Sequence, residues 1–220
     1  MRRLLLPLLL VATLPACRRD EPAPTPAPQV TAADAPEPAA SADANTKPGT
    51  LRLDGADVPV TLERFDDARS PFTTYVPKGD FNADVVPSGE AFAVVFQSAV
   101  DGEPGARPSA TFVFPTRPAS VDSLRAAFFA RAGAAGWSIN EDGGATPCLW
   151  ASEGYTFTSE TAGLDVVCFG EHAGRAFQYT TRSSPQTSYA FKARLDVLLD
   201  ELRWRDTGAG LGAGGLASGD

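Results

Sequence analysis

Between residues 50 and 206 the apolar positions come in short groups broken by Gly, Pro and Asp, and the spacing within each group predicts an element. Val58, Val60 and Leu62 alternate, as in a strand with one buried face. Phe72 to Val76 reads as a short strand stopped by Pro77. Ala91 to Phe96 is almost continuously apolar, the pattern of a central strand covered on both faces. Thr111 to Phe114 follows a loop with Asp101-Gly102 and Pro104-Gly105 and pairs back as a hairpin. The period then lengthens. Ser120 is a good N-cap, Val121, Leu124 and Phe128 recur at helical spacing, and Gly133 is a natural stop, so a helix is predicted over 120–132. Trp137 to Asn140 and Cys148 to Ala151, the latter continuing through Tyr155 to Thr158, return to strand. Leu164 to Phe169 and Ala176 to Arg182 form a hairpin around Glu171-His172-Ala173-Gly174. A last helix spans 189–204, with Phe191, Leu195, Leu198, Leu199 and Leu202 on one face. The pattern is that of one α+β domain over 50–206, an antiparallel sheet of about six to eight strands with two main helices.

The flanks lack such periodicity. Residues 18–49 are rich in Pro, Ala, Asp and Ser, with no aromatic. Such a segment cannot bury enough surface to offset its ordering entropy, so 17–49 is expected to be an extended, disordered tether. In polyproline form ~30 residues reach about 90 Å. Residues 207–220 read as a second disordered, Gly-rich tail. Gly210, Gly212 and Gly215 make a formal Gly-x-Gly-x-x-Gly there, but a dinucleotide loop needs a strand before it and a helix after it, and the match is rejected.

At the start, Arg2 and Arg3 precede the apolar run Leu4 to Leu14, and Leu14-Pro15-Ala16-Cys17 closes it. The run is too short to span a bilayer, which takes roughly 20 apolar residues. The stretch resembles a bacterial lipoprotein signal with its lipobox. Leucine three before the cysteine and alanine one before it fit the family; Pro15 departs from it. The resemblance implies removal of residues 1–16, acylation of Cys17, and a membrane anchor facing the periplasm. Arg18 after the cysteine, rather than aspartate, favours the outer membrane over the inner by the same resemblance. Ordinary secretory cleavage is the alternative, but it wants a small residue where Leu14 stands.

Removing residues 1–16 takes away two arginines and no acid, leaving 17 basic against 27 acidic residues, a net charge of −10. That argues against nucleic acid and against an electrostatic grip on anionic lipid. Cys148 and Cys168 remain beside Cys17. An oxidising compartment allows them to form a disulfide; two buried free thiols on neighbouring strands are the alternative. Their spacing excludes a Cys-x-x-Cys redox pair.

The order of strands, helix, antiparallel strands and closing helix, with Phe72-Thr73-Thr74-Tyr75-Val76-Pro77 near its start and Leu195 to Trp204 at its end, resembles the PsbP-type family over roughly 58–205. The resemblance implies an α/β/α sandwich and a mainly non-catalytic accessory or adaptor role. No catalytic residue carries over.

The residues themselves offer little chemistry. His172 is the only histidine and falls in a predicted turn, so His-rich zinc sites are excluded and a triad would have to run through it. No Gly-x-Ser-x-Gly elbow and no phosphate-binding Gly-Lys-Ser/Thr loop is present. Asp66-Asp67 and Glu141-Asp142 are paired carboxylates near turns, where Asp serves backbone hydrogen bonding. Asp54 and Asp57 flank a glycine without the further ligands of a calcium loop. No metal or cofactor is called for. Among the aromatics Trp137, Trp150, Tyr155, Phe157, Tyr179 and Trp204, most read as core. Trp150, Tyr155 and Phe157 are the candidates for a partner surface, because Ser152-Glu153-Gly154 interrupts their segment and places Tyr155 and Phe157 on a loop beside the cysteines. The expectation is therefore a non-catalytic binding or adaptor domain anchored through Cys17, with an unidentified envelope protein as partner. The alternatives are a carrier of a small apolar ligand, which needs a pocket between sheet and helices, and a carboxylate-based hydrolase of envelope polymers, which needs two acids in one cleft.

Overall fold

The computed structural model describes residues 44–102, 107–140, 148–159 and 162–212. The leader, Cys17, the expected tether over 18–43, Glu141-Asp142 and the end of the tail, 213–220, lie outside the described residues.

Two antiparallel sheets and two helices account for these residues. The first sheet holds β1 (Thr46–Leu53), β2 (Ala56–Phe65), β3 (Phe72–Pro77) and the two-residue β11 (Arg203–Trp204), in the order β1-β2-β3-β11. The second holds β4 (Phe81–Ser88), β5 (Ala91–Ser98), β6 (Ser109–Pro115), β7 (Ser138–Asn140), β8 (Glu153–Ser159), β9 (Ala162–His172) and β10 (Arg175–Arg182), in the order β4-β5-β6-β10-β9-β8-β7. Helix α1 (Val121–Ala134) lies between β6 and β7 in sequence, and α2 (Ser188–Glu201) between β10 and β11. The α+β class with two helices and antiparallel sheets is as the pattern predicts.

Alternation along β9 assigns the two faces of the seven-stranded sheet. Val167 and Phe169 join Phe157 under Phe128 and Ala132 of α1. Cys168 on the opposite face joins Phe177, Tyr179, Phe112 and Phe96 against Phe191, Leu195 and Leu198 of α2 and Phe72 and Val76 of β3. The larger core is built on phenylalanine: Phe72 lies 5.0 Å from Phe112 and Phe65 lies 5.0 Å from Phe96. Burial of rings of this size is the main term holding the sheets together. The Thr74 hydroxyl donates to the Leu198 carbonyl at 2.6 Å, so α2 is fastened to β3 inside that core.

Ser120 caps α1 as expected. Its Oγ accepts from the Ser123 N–H, and Ser123 Oγ accepts from the Ser120 N–H. The helix runs one residue past Gly133, and Gly136 at φ +72° supplies the left-handed turn that follows. Helix α2 ends at Glu201, short of the predicted 204, because Leu202 turns extended and hands the chain to β11.

Four expectations are corrected. Residues 46–49, assigned to the tether, form the first half of β1. They pair with Val60 to Glu63, and Lys47 bonds Glu201 and lies over the Tyr75 ring. Pro48 is tolerated there because β1 is an edge strand. Residues 207–212, assigned to the disordered tail, fold back: Trp204 N–H donates to the Ala209 carbonyl, and Leu211 is buried. Cys148 to Ala151, expected as strand, is a turn, while Tyr155 to Thr158 belongs to strand β8, as the strand reading had it and the loop reading did not, since its backbone pairs with both β7 and β9. Finally, β4 has no counterpart among the expected elements, and the four-stranded sheet adds a second layer to the single sheet expected.

Arg194 ties distant pieces together. Its guanidinium bonds Asp80 at 2.6 Å and Asp101 at 3.3 Å, which joins α2 to the ends of β4 and β5.

Candidate functional site

The site grows from the disulfide. Cys148 and Cys168 are bonded, with Cα atoms 6.2 Å apart. Cys168 is fully buried in β9, so it fixes the turn 148–152 to the face of the sheet opposite α1. Ser152 N–H donates to the Phe169 carbonyl and closes the other end of that turn. Between these two anchors Trp150 lies flat on Phe177, centroids 5.6 Å apart and planes at 13°. Gly170 makes this possible: a Cβ there would stand 2.8 Å from the Phe177 ring and 3.0 Å from Trp150.

With the turn held on both sides, its apex residue Leu149 projects outward and is 90% exposed. Beside it runs an open groove of about 400 Å³ walled by Trp150, Leu199, Leu211 and the backbone of Gly210 and Gly212, with Asp200 on its edge. An exposed leucine on its own is ordinary. This leucine stands on a turn clamped by a disulfide, next to a groove of Trp and Leu.

The three aromatics proposed from sequence do not share a surface. Trp150 is on the α2 side. Phe157 is 1% exposed under α1, with its ring 5.4 Å from Phe128 and 5.2 Å from Trp137. Tyr155 is on the same side as Phe157, edge-on to Phe129, and its hydroxyl donates to Glu153, which Arg125 also holds. Burial and the Glu153 carboxylate push its phenol pKa upward. The alternation of Tyr155 and Phe157 in β8, read against Val167 and Phe169 in β9, was the signal that separates them from Trp150. Leu149, which sequence reading passed over, carried no signal without knowledge of the disulfide.

A second cleft, of about 150 Å³, opens at the β9–β10 turn. Its floor is Phe92, Phe114, Phe177 and Trp204, and His172 and Asp206 stand at its rim. His172 is not a free turn residue. Its ring stacks on Trp204 at 4.0 Å and its Nε2 is 2.8 Å from Asp206 Oδ1. A third space, of about 180 Å³, lies between α2 and β9–β10.

Of the carboxylates picked out for acid/base work, the described pair Asp66-Asp67 is engaged in other ways. Asp66 pairs with Arg64 and Arg205, and Asp67 with Arg69, which holds the Asp67 carboxyl well below its usual range. Asp54 and Gly55 have φ of 50° and 79° and form the two-residue turn between β1 and β2. Among the described residues no group of three or more His, Cys, Asp or Glu is placed to hold a metal, and no helix is long and apolar enough to cross a membrane. Asp165 is the unusual carboxylate. It is fully buried on the α1 face, Oδ1 accepts from the Ser183 N–H, and Oδ2 has no partner; burial raises its pKa to about 6.

Comparison of the chain with protein-family models finds no match, and comparison with curated proteins finds none either.

Proposed function

We propose that this chain is a bacterial envelope lipoprotein, acylated at Cys17, whose domain is a non-catalytic binding or adaptor module for a periplasm-facing partner protein. The groove flanked by Leu149 and Trp150 is the docking surface, and the outer membrane is favoured over the inner. The observation that carries the reading is Leu149, 90% exposed on a turn clamped by Cys148–Cys168. The disulfide suits an oxidising compartment, in line with export. Helices on opposite faces of the seven-stranded sheet are compatible with kinship to the PsbP-type sandwich, with the four-stranded sheet as an addition.

Two measurements test this. Incorporation of labelled palmitate is expected in the natural chain and absent in Cys17→Ser; incorporation into both, or neither, refutes the anchor. A photocrosslinker placed at residue 149 of the lipidated chain in cells is expected to trap one protein species in near-stoichiometric yield. The same group at Ala127, exposed on α1, is expected to trap none. Equal trapping from both positions would remove the groove as docking surface.

A further inference from the structure

The cleft at the β9–β10 turn lies where the two sheets part. Pro71 and Trp204 wall it on the side of the first sheet, and Phe92, Phe114 and Phe177 on the side of the second. Those three rings stand in neighbouring strands and stack side by side, at 5.2 and 5.6 Å, so the floor is aromatic throughout. The turn sets the polar rim. Positive φ at Ala173 (49°) and Gly174 (72°) closes the hairpin in two residues, which puts His172 opposite Arg175 on one face of the ladder. Glu171 alternates to the other face. His172 is committed to Trp204 and to Asp206, the carboxylate that lines the cleft. Arg64, Arg69, Arg117, Arg125, Arg194 and Arg205 each hold a carboxylate. The Arg175 guanidinium instead donates to the Pro115 carbonyl at 2.9 Å, and Pro115 also lines the cleft. That bond fixes a cation at the mouth and leaves its charge unpaired among the described residues.

We infer that this cleft binds a small aryl carboxylate, its ring on Phe92, Phe114 and Trp204 and its carboxylate on the Arg175 guanidinium. Size sets the first limit. Drug-sized ligands occupy roughly 300–1,000 Å³, whereas an engineered apolar cavity of about 150 Å³ takes up benzene. A cleft of about 150 Å³ therefore holds one ring, with the substituent left at the mouth. Charge sets the second. A guanidinium offers a planar fork of N–H groups that matches the two oxygens of a carboxylate. An ammonium group on the same ring would meet Arg175 as a like charge, and a carboxylate without a ring would gain nothing from the aromatic floor. Asp206 does not cancel the selection, because His172 Nε2 already holds it at 2.8 Å. The site is separate from the Leu149 surface and does not depend on the docking reading.

The test uses the full chain with Cys17→Ser, ¹⁵N-labelled and titrated with phenylacetate. Phenethylamine serves as the cationic counterpart, and acetate as the carboxylate without a ring. Saturable shifts are expected with phenylacetate at the Ala173 and Arg175 amides and at the Trp204 indole N–H. Phenethylamine is expected to bind about tenfold more weakly, the order of one charge-assisted hydrogen bond at a solvent-exposed site, and acetate not to saturate. Arg175→Gln keeps a donor for the Pro115 carbonyl and removes the charge. It is expected to weaken phenylacetate about tenfold and to leave the melting temperature unchanged, since Arg175 is exposed. Arg117→Gln, at an exposed arginine paired with Glu90, is expected to bind phenylacetate as the parent does. Absence of saturable shifts at these residues, or phenethylamine bound as tightly as phenylacetate, would overturn the inference in the unaltered cleft. Undiminished affinity in Arg175→Gln, or an equal loss in Arg117→Gln, would overturn the role of Arg175 and the inference with it.

Discussion

The imidazole of His172 lies on the indole of Trp204, centroids 4.0 Å apart and planes at 7°, while its Nε2 meets the Asp206 carboxylate. One side chain thus joins the β9–β10 turn to the strand after α2, and the C-terminal segment is held by a ring stack and a hydrogen bond together. The His172 bond holds the Asp206 carboxyl below its ordinary range. A depressed carboxylate stabilises the fold above its unfolded pKa, and that contribution is lost as pH falls through the folded value. His172→Phe keeps the stack and removes the pair, whereas His172→Ala removes both. In urea titrations at pH 7, His172→Ala is expected to lose on the order of 1 kcal/mol more than His172→Phe, the range of an aromatic pair. Equal losses would mean that the stack contributes nothing.

Asp165 sets the opposite pH dependence. Its pKa is raised to about 6 from 3.8, so between those values the folded state holds a proton that the unfolded state has released. Stability from this group therefore falls as pH rises from 4 to 6 and stays reduced above. The shift corresponds to a penalty of roughly 2–3 kcal/mol at neutral pH. Asp165→Asn keeps an oxygen for the Ser183 N–H and removes the charge. Its urea midpoint is expected to exceed the parent's at pH 7.5 and to approach it at pH 4. A lower midpoint at pH 7.5 would contradict the assignment.

The disulfide closes a loop 20 residues in span. In the chain-entropy model such a link is worth about 3 kcal/mol. Replacing both Cys148 and Cys168 by Ala is expected to lower the unfolding free energy by that order and to release the turn bearing Leu149. The intensity of Trp150 in near-ultraviolet dichroism should fall with it. An unchanged midpoint would show that the turn is held by Ser152 and the Trp150 stack alone.

Gly170→Val would drive a side chain into Phe177 and Trp150. Overpacking of this kind costs about 1–3 kcal/mol. Loss of stability together with loss of the residue-149 crosslink is expected, since the indole under the groove must move. Retention of the crosslink would separate the docking surface from the Trp150 stack.

The sequence was most informative where a single period ran long enough to choose a face. Ala91 to Phe96 is the interior strand β5, flanked by β4 and β6. Ser120 opens α1, and Phe191, Leu195 and Leu198 are the buried face of α2. Reading failed where pairing, not burial, makes the element. Thr46-Lys47-Pro48-Gly49 has no apolar residue to signal a strand, and its order comes from β2 across the ladder. Val58 alternates correctly with Val60 and Leu62 yet is 38% exposed, because only the Leu62 end of β2 reaches the core. Asp54-Gly55 was weighed only against a calcium loop, whose further ligands are missing, although the same dipeptide is a hairpin signal. The candidate site was half visible. The two cysteines and Trp150 were there to be read, but the split of Trp150 from Tyr155 and Phe157 depends on which face of β9 each touches, a relation across strands rather than along the chain.

Arg194 clamps parts of the chain that are far apart in sequence. Its partners Asp80 and Asp101 lie 114 and 93 residues earlier in the chain. Both carboxylates meet on one guanidinium, and without its charge two like charges would face each other there. In the folded molecule the guanidinium between them therefore sets the spacing at the ends of β4 and β5. A chain interrupted before residue 194 would lack this clamp, which reaches back across about half the sequence.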